Sequence, residues 1–399
     1  MAASISGSCT CYPSVGVARG RGTSRNRTAI RSSFAPCSPA SSKPSTPRIG
    51  RKWPELQGAH DWDGLLSPLD VALRGELVRY GEFVRAAYAS FDGRAAPSYG
   101  SCMFPSRSLL RRAGLPETGY QITRLLHAAS TSAPSWLMSP SCSSSYIGYV
   151  AVCDDVDEIE RLGRRDVVVA FRGTATCGEW LDNFKSSLTR LPPSSSDAGE
   201  DEEPMVQAGF WRLFTAPGEA HGSLQQQVRD EVQRIIREYG GKGMPPLSIT
   251  ITGHSLGAAL AVLSAYEITT AAARSNDDAA PMVTAVSFGG PRVGNEAFRR
   301  RLEESGGKVL RVVNSDDIVT KVPGFRVDDD CGGEPAKRKA RVLPRWLVQQ
   351  MGWAYRDVGS ELRLSSQDSA PNVNVVASHD LDLYLKLVAA SACEDYIRQ

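Results

Sequence analysis

The chain has 399 residues, 41% of them hydrophobic and 23% charged, with a formal net charge of +2. This composition is that of a soluble globular chain with material for a large core, and no run of 18 consecutive apolar residues marks a bilayer span. The charge is unevenly spread: residues 1–50 hold eleven Ser, seven Lys or Arg and no acid, and beyond them 39 basic side chains face 44 acidic ones, a balance near −5 that excludes nucleic acid as a partner.

An Arg-rich, Ser-rich, acid-free beginning without an apolar centre has the composition of an organelle transit peptide, not of a secretory signal. Residues 1–50 are therefore expected to be a disordered presequence addressed to a plastid, with a mitochondrion as the alternative. Of nine Cys, Cys9, Cys11 and Cys37 fall in that segment. The other six are scattered without C-x-x-C or Cys/His metal spacing, so free thiols and no bound metal are expected.

From Trp53 the composition becomes that of a folded domain. Leu73, Leu77, Val78, Phe83, Val84 and Tyr88 are spaced as one face of a helix over 71–91. With 109–110 and 120–126 they predict an N-terminal helical extension, residues 51–130, packed on the core. The rest, 131–399, reads as one α/β domain. Strands are predicted at 145–153, 166–171, 247–252, 283–288, 308–314 and within 353–364. Helices are predicted at 223–239, after residue 255, at 299–304, and from His379 onward. Strands alternating with helices imply a mostly parallel sheet with helices on both faces. Catalytic groups then belong in loops beyond the carboxyl ends of the strands.

The sharpest signal is Gly253-His254-Ser255-Leu256-Gly257 between a strand of branched residues and an Ala-rich helix. G-x-S-x-G alone is weak, but in that setting it places one Ser hydroxyl at the tip of a strand-to-helix bend. A Ser nucleophile needs a His to take its proton and a carboxylate to orient that His. With the order Ser, acid, His, His379 is the only one of five His that follows Ser255. Asp316 and Asp317 both follow the strand at 308–314, and spacing does not choose between them; Asp357, Asp380 and Asp382 lack that placement. The oxyanion needs one N–H from Leu256 and one from a second strand-end loop, which Arg172-Gly173-Thr174 fits.

These residues, with Phe288-Gly289-Gly290-Pro291-Arg292-Val293-Gly294 and Arg311-Val312-Val313-Asn314 before Asp317-Ile318-Val319, resemble the class 3 lipase pattern. Over about 330 residues the chain is similar to the plant phospholipase A1 enzymes with organellar presequences, sharing Trp62-Asp63-Gly64-Leu65-Leu66 and the segment 174–180. The resemblance implies an α/β-hydrolase fold, Asp317 as the acid, and Thr174 with Leu256 as the oxyanion hole. It also implies a lid near 177–205 and no cofactor. Two positions depart from the family: Thr320 where many relatives carry Pro, and Gln207 where they carry His.

The activity so implied is release of fatty acid from the sn-1 position of membrane glycerolipids, phospholipid and galactolipid, feeding oxylipin and jasmonate synthesis. Alternatives are a lipase for triacylglycerol or other esters, and a catalytically silent lipase-like signalling protein. Peripheral membrane contact is expected. The basic run Lys337, Arg338, Lys339, Arg341 and Arg345, with Trp346, Leu347 and Trp353, suits anionic lipid and suits a solvated loop equally.

Overall fold

The computed structural model describes residues 48–93, 100–129, 144–174, 187–192, 202–218, 220–275, 281–321, 354–366 and 377–391. The expected transit peptide apart from its last residues, most of the expected lid and the whole basic run at 337–353 lie outside the described residues.

A short helix α1 (Trp53–Leu56) precedes α2 (Val71–Ala89), whose N-terminus is fixed by Asp70. The Asp70 carboxylate accepts from the backbone N–H of Ala72 and Leu73 at 2.8 and 3.0 Å, supplying acceptors to two donors the helix cannot satisfy itself. The predicted face buries Leu73, Leu77, Phe83 and Val84. Helix α3 (Leu109–Arg112) follows, then strands β1 (Tyr120–Ala129) and β2 (Ser144–Cys153), helix α4 (Val156–Leu162) and strand β3 (Arg165–Phe171). A small antiparallel pair, β4 (Leu188–Arg190) and β5 (Met205–Gln207), leads into α5 (Ala208–Thr215). Gln207 caps that helix by accepting from Phe210 N at 2.5 Å.

Helix α6 (Leu224–Tyr239) starts in a reciprocal capping box between Ser223 and Gln226. Then come β6 (Leu247–His254), α7 (Leu256–Ser275), β7 (Met282–Phe288), α8 (Glu296–Glu304), β8 (Lys308–Asn314), β9 (Ser360–Leu364) and α9 (Leu381–Ala390). The main sheet runs β1-β2-β3-β6-β7-β8-β9. From β3 to β9 every pairing is parallel, while β1 and β2 join antiparallel at one edge. This is the α/β-hydrolase architecture, mostly parallel with helices on both faces.

One reading is corrected and another is narrowed. Residues 120–129, placed in the helical extension 51–130, form the edge strand β1 of the main sheet. The strand expected within 353–364 is confined to Ser360–Leu364.

The sheet separates two apolar cores. Val167, Val169 and Phe171 of β3 with Ile249 and Ile251 of β6 face α5, α6 and α7. Val168 and Ala170 face the other way, toward Leu77, Tyr80 and Val84 of α2 and Tyr384 and Val388 of α9. Strands buried on both faces explain the unbroken apolar run at 167–171. At roughly 1.5–3 kcal/mol for each fully buried aliphatic or aromatic side chain, these layers hold the strand ends in place. Within α7, Leu256–Ala273 is long and apolar enough to cross a membrane, but it packs on β3, β6 and β7 as a core helix. Among the described residues Cys102 and Cys153 are free thiols.

Candidate active site

Strand β6 ends at His254 and helix α7 begins at Leu256, so Ser255 alone makes the turn. Its φ is +59°, a left-handed conformation that costs an L-residue roughly 1–2 kcal/mol. Close packing enforces it. A Cβ on Gly253 would collide with the Gly257 carbonyl, and one on Gly257 would lie 2.6 Å from the Phe171 carbonyl oxygen. The Ser255 N–H donates to Phe288 O at 3.0 Å, tying the turn to the end of β7.

Three of the residues singled out from sequence converge here. His379 Nε2 is 2.8 Å from Ser255 Oγ, and His379 Nδ1 is 2.7 Å from Asp317 Oδ2. All three side chains are buried. His379 closes a 3-10 turn (Ala377–His379) instead of opening α9, and Asp380 caps that helix by accepting from Leu383 N. The turn is held by Asn314, whose side-chain amide donates to Ser378 O at 3.0 Å.

Asp317 sits at the carboxyl end of β8 in a set of donors. Val319 N–H donates to Oδ1 at 2.9 Å, and the Tyr384 hydroxyl donates to Oδ2 at 2.6 Å. Such donors fix the direction of the carboxylate. Tyr384 in turn accepts from Asn314 N–H, and burial with the adjacent Asp317 raises its hydroxyl pKa well above that of an ordinary phenol. Asp316 is turned away and bonds the Ser366 hydroxyl.

The segment after β3 lies directly against this centre, since a Cβ on Gly173 would be 3.1 Å from Ser255 Cβ. Arg172, fully buried, anchors it: Nη1 donates to Gly173 O at 2.8 Å and Nε to Tyr146 O at 2.9 Å. With that carbonyl turned toward Arg172, the next peptide N–H, that of Thr174, points the opposite way. Neither Thr174 N–H nor Leu256 N–H has a backbone acceptor, and Thr174 Oγ1 is buried without a hydrogen-bond partner, among the described residues. Orphaned donors beside a buried hydroxyl are what an oxyanion would satisfy. Among the described residues no group of His, Cys, Asp and Glu could hold a metal ion.

Sequence reasoning missed Tyr88, Tyr384 and His254 as parts of this centre. By spacing, Tyr88 reads only as part of the apolar face of α2. The available signal was chemical: a Tyr within a buried stripe carries a hydroxyl that must find a partner.

Residues 168–327 match the family described as lipase (class 3). The chain is 50% identical over 358 residues to the chloroplastic phospholipase A(1) DAD1 of Arabidopsis thaliana, covering 86% of this chain and 77% of that one. It is 40% identical over 348 residues to the chloroplastic/mitochondrial phospholipase A1 EG1 of Oryza sativa subsp. indica, covering 85% and 75%. With the chloroplastic galactolipase DONGLE of Arabidopsis thaliana it shares 37% over 361 residues, covering 86% and 71%. Among solved structures, the Rhizomucor miehei lipase propeptide complex aligns with a TM-score of 0.46 and 15% identity, over 81% of this chain and 78% of that one.

Proposed function

Because the chain belongs to the class 3 lipase family that includes the plant phospholipase A1 enzymes, we propose that it hydrolyses the sn-1 acyl ester of membrane glycerolipids in the plastid. The observation that carries this reading is the buried relay of 2.8 Å from Ser255 to His379 and 2.7 Å from His379 to Asp317. Ser255 Oγ attacks the ester carbonyl while His379 Nε2 takes its proton. Asp317 keeps the other ring proton on Nδ1 and stabilises the imidazolium. The tetrahedral oxyanion takes hydrogen bonds from the N–H groups of Leu256 and Thr174 and from the Thr174 hydroxyl. Collapse expels the lysolipid alkoxide, which receives the proton from His379, and leaves an acyl-Ser255 ester. Water, deprotonated by His379, then attacks that ester and releases the fatty acid.

The names of the relatives support both a phospholipid and a galactolipid as substrate, and a plastid address. An apolar acyl site is costly to leave open to water, which favours a lid within 177–205 that opens at a lipid surface. The basic run at 337–345 is the element we assign to peripheral membrane contact.

The test is hydrolysis of phosphatidylcholine and monogalactosyldiacylglycerol with different acyl chains at sn-1 and sn-2. Release of the sn-1 chain is expected, and Ser255→Ala should lower kcat by about 10⁶. Unchanged turnover in Ser255→Ala would remove the nucleophile assignment, and release from sn-2 alone would remove the positional one.

A further inference from the structure

We propose that Tyr88 is a positioning residue for ester hydrolysis at Ser255: its hydroxyl fixes the His254 ring against that of His379 and limits where the oxyanion loop can sit. The proposal rests on the reading of Ser255, His379 and Asp317 given above.

Tyr88 lies on the last turn of α2, and its hydroxyl is 2.9 Å from His254 Nδ1. A Cβ on Gly173 would collide with that same hydroxyl and lie 2.8 Å from the His254 carbonyl oxygen. One phenol from the N-terminal part of the chain thus touches both the residue before the nucleophile and the residue before Thr174. No residue with a side chain fits at position 173 unless the loop moves off this hydroxyl.

His254 explains why the contact bears on chemistry. Its ring centroid is 4.7 Å from that of His379, with 34° between the planes. His379 becomes positively charged during each attack, so a second charge on His254 would oppose proton transfer at close range. Burial, and then the neighbouring His379, hold His254 well below the ordinary imidazole pKa. The titratable groups facing it are Tyr88 from α2, His379 from the 377–379 turn and Tyr384 from α9. The Tyr384 hydroxyl is engaged by Asp317 and Asn314, which leaves Tyr88 as the group that bonds the His254 ring.

The direction of that bond follows from the other side of the ring. His254 Nε2 is buried without a hydrogen-bonded partner among the described residues, and the nearby backbone carbonyl of His379, outside hydrogen-bond geometry, can only accept. The single ring proton therefore belongs on Nε2, and the Tyr88 O–H donates to Nδ1. A donated hydrogen bond at Nδ1 favours the neutral ring over the imidazolium.

The experiment uses the full chain, a soluble short-chain ester and phosphatidylcholine micelles. Tyr88→Phe keeps the ring and removes only the donor. Its kcat is expected to fall about tenfold with KM nearly unchanged, and the acid limb of kcat/KM to move to higher pH as His254 gains a proton more readily. In a His254→Asn background the same substitution should have little further effect on the pH limb, because the titrating partner is gone. A wild-type kcat and pH profile in Tyr88→Phe overturns the proposal. So does an equal shift in both backgrounds, or a loss of thermal stability with no change in the pH limb. Ser255→Ala separates the two readings. If it remains active the triad assignment fails, whereas an inactive Ser255→Ala beside an unaltered Tyr88→Phe removes Tyr88 alone.

Discussion

Asp316 and Asp317 are chain neighbours with opposite surroundings. Asp317 is fully buried, touches His379 and accepts from Tyr384 and Val319 N–H. Asp316 lies part-way to solvent and bonds Ser366. Residue counting along the strand could place an acid here but could not tell which of two successive side chains turns inward. That choice is made by the 3-10 turn Val319–Lys321, where the Thr320 hydroxyl donates to Asp317 O at 2.8 Å. Thr320 thus braces the acid's own backbone. Asp317→Asn keeps the shape and removes the charge that orients His379, and kcat should fall on the order of 10⁴. Asp316→Asn should change kcat by less than about threefold, since its partner is a hydroxyl outside the relay. Steady-state kinetics of the two variants on one ester substrate checks the ranking, and a larger loss in Asp316→Asn would reverse the assignment.

Elements were legible where both strand faces are buried or where a cap names the end. The runs at 166–171 and 247–252 and the Ser223 start of α6 are of this kind. Strand β1 was not, for a reason visible in its pairing. The register against β2 slips between Ile122 and Arg124, where β1 carries the extra residue, and again between Leu126 and His127, where β2 carries it, so inward and outward sides along β1 exchange once within ten residues. An edge strand with a bulge in its middle loses the period of two that marks a strand. The bend at Ser255 is the opposite case, because its geometry leaves no choice of residue. A Cβ on Gly257 would lie 2.6 and 2.7 Å from the carbonyl oxygens of Phe171 and Arg172, both backbone atoms at the end of β3. Gly257→Ala must therefore push the nucleophile turn away from the strand that carries the oxyanion loop. We expect kcat to drop at least 10²-fold and stability to fall by about 1–3 kcal/mol, read from kinetics and urea unfolding of the same preparation. Near-native kcat would mean that the turn tolerates the displacement.

Across the whole molecule, the two ends of the central strands carry different loads. The carboxyl ends hold the catalytic groups, while the amino ends of β3 and β6 meet α2 through buried charge. Glu76 on α2 pairs with Arg79 at 2.7 Å and with Arg164 at 2.8 Å, and Asp166 bonds Arg79, the Tyr120 hydroxyl and the Ser248 hydroxyl. Gln57 and Thr250 extend the set, so residues from the N-terminal extension, the edge strand and the sheet centre share one network. Burial alone would raise the Glu76 pKa, but Arg79 and Arg164 outweigh it and bring it down to about 2. A carboxyl depressed in the folded state stabilises it fully above the unfolded pKa of about 4.5 and loses that contribution as pH falls toward 2. The stake is a few kcal/mol, enough to uncouple the extension from the sheet. Urea unfolding at pH 7, 5, 4 and 3 should show stability falling across the lower half of that range. In Glu76→Gln the fall should be shallower, but from a lower starting point, because Arg164 is fully buried and would lose its carboxylate partner, at a cost of about 3–5 kcal/mol. Parallel pH slopes for the two proteins would mean that other carboxylates set the acid limit. Since the same helix delivers Tyr88 to the nucleophile turn, acid loss of this anchor should also reduce kcat before global unfolding. Because His379 must be neutral to take the Ser255 proton, activity falls in acid in both proteins; a steeper fall below pH 4 in wild type than in Glu76→Gln is the expected signature of that coupling.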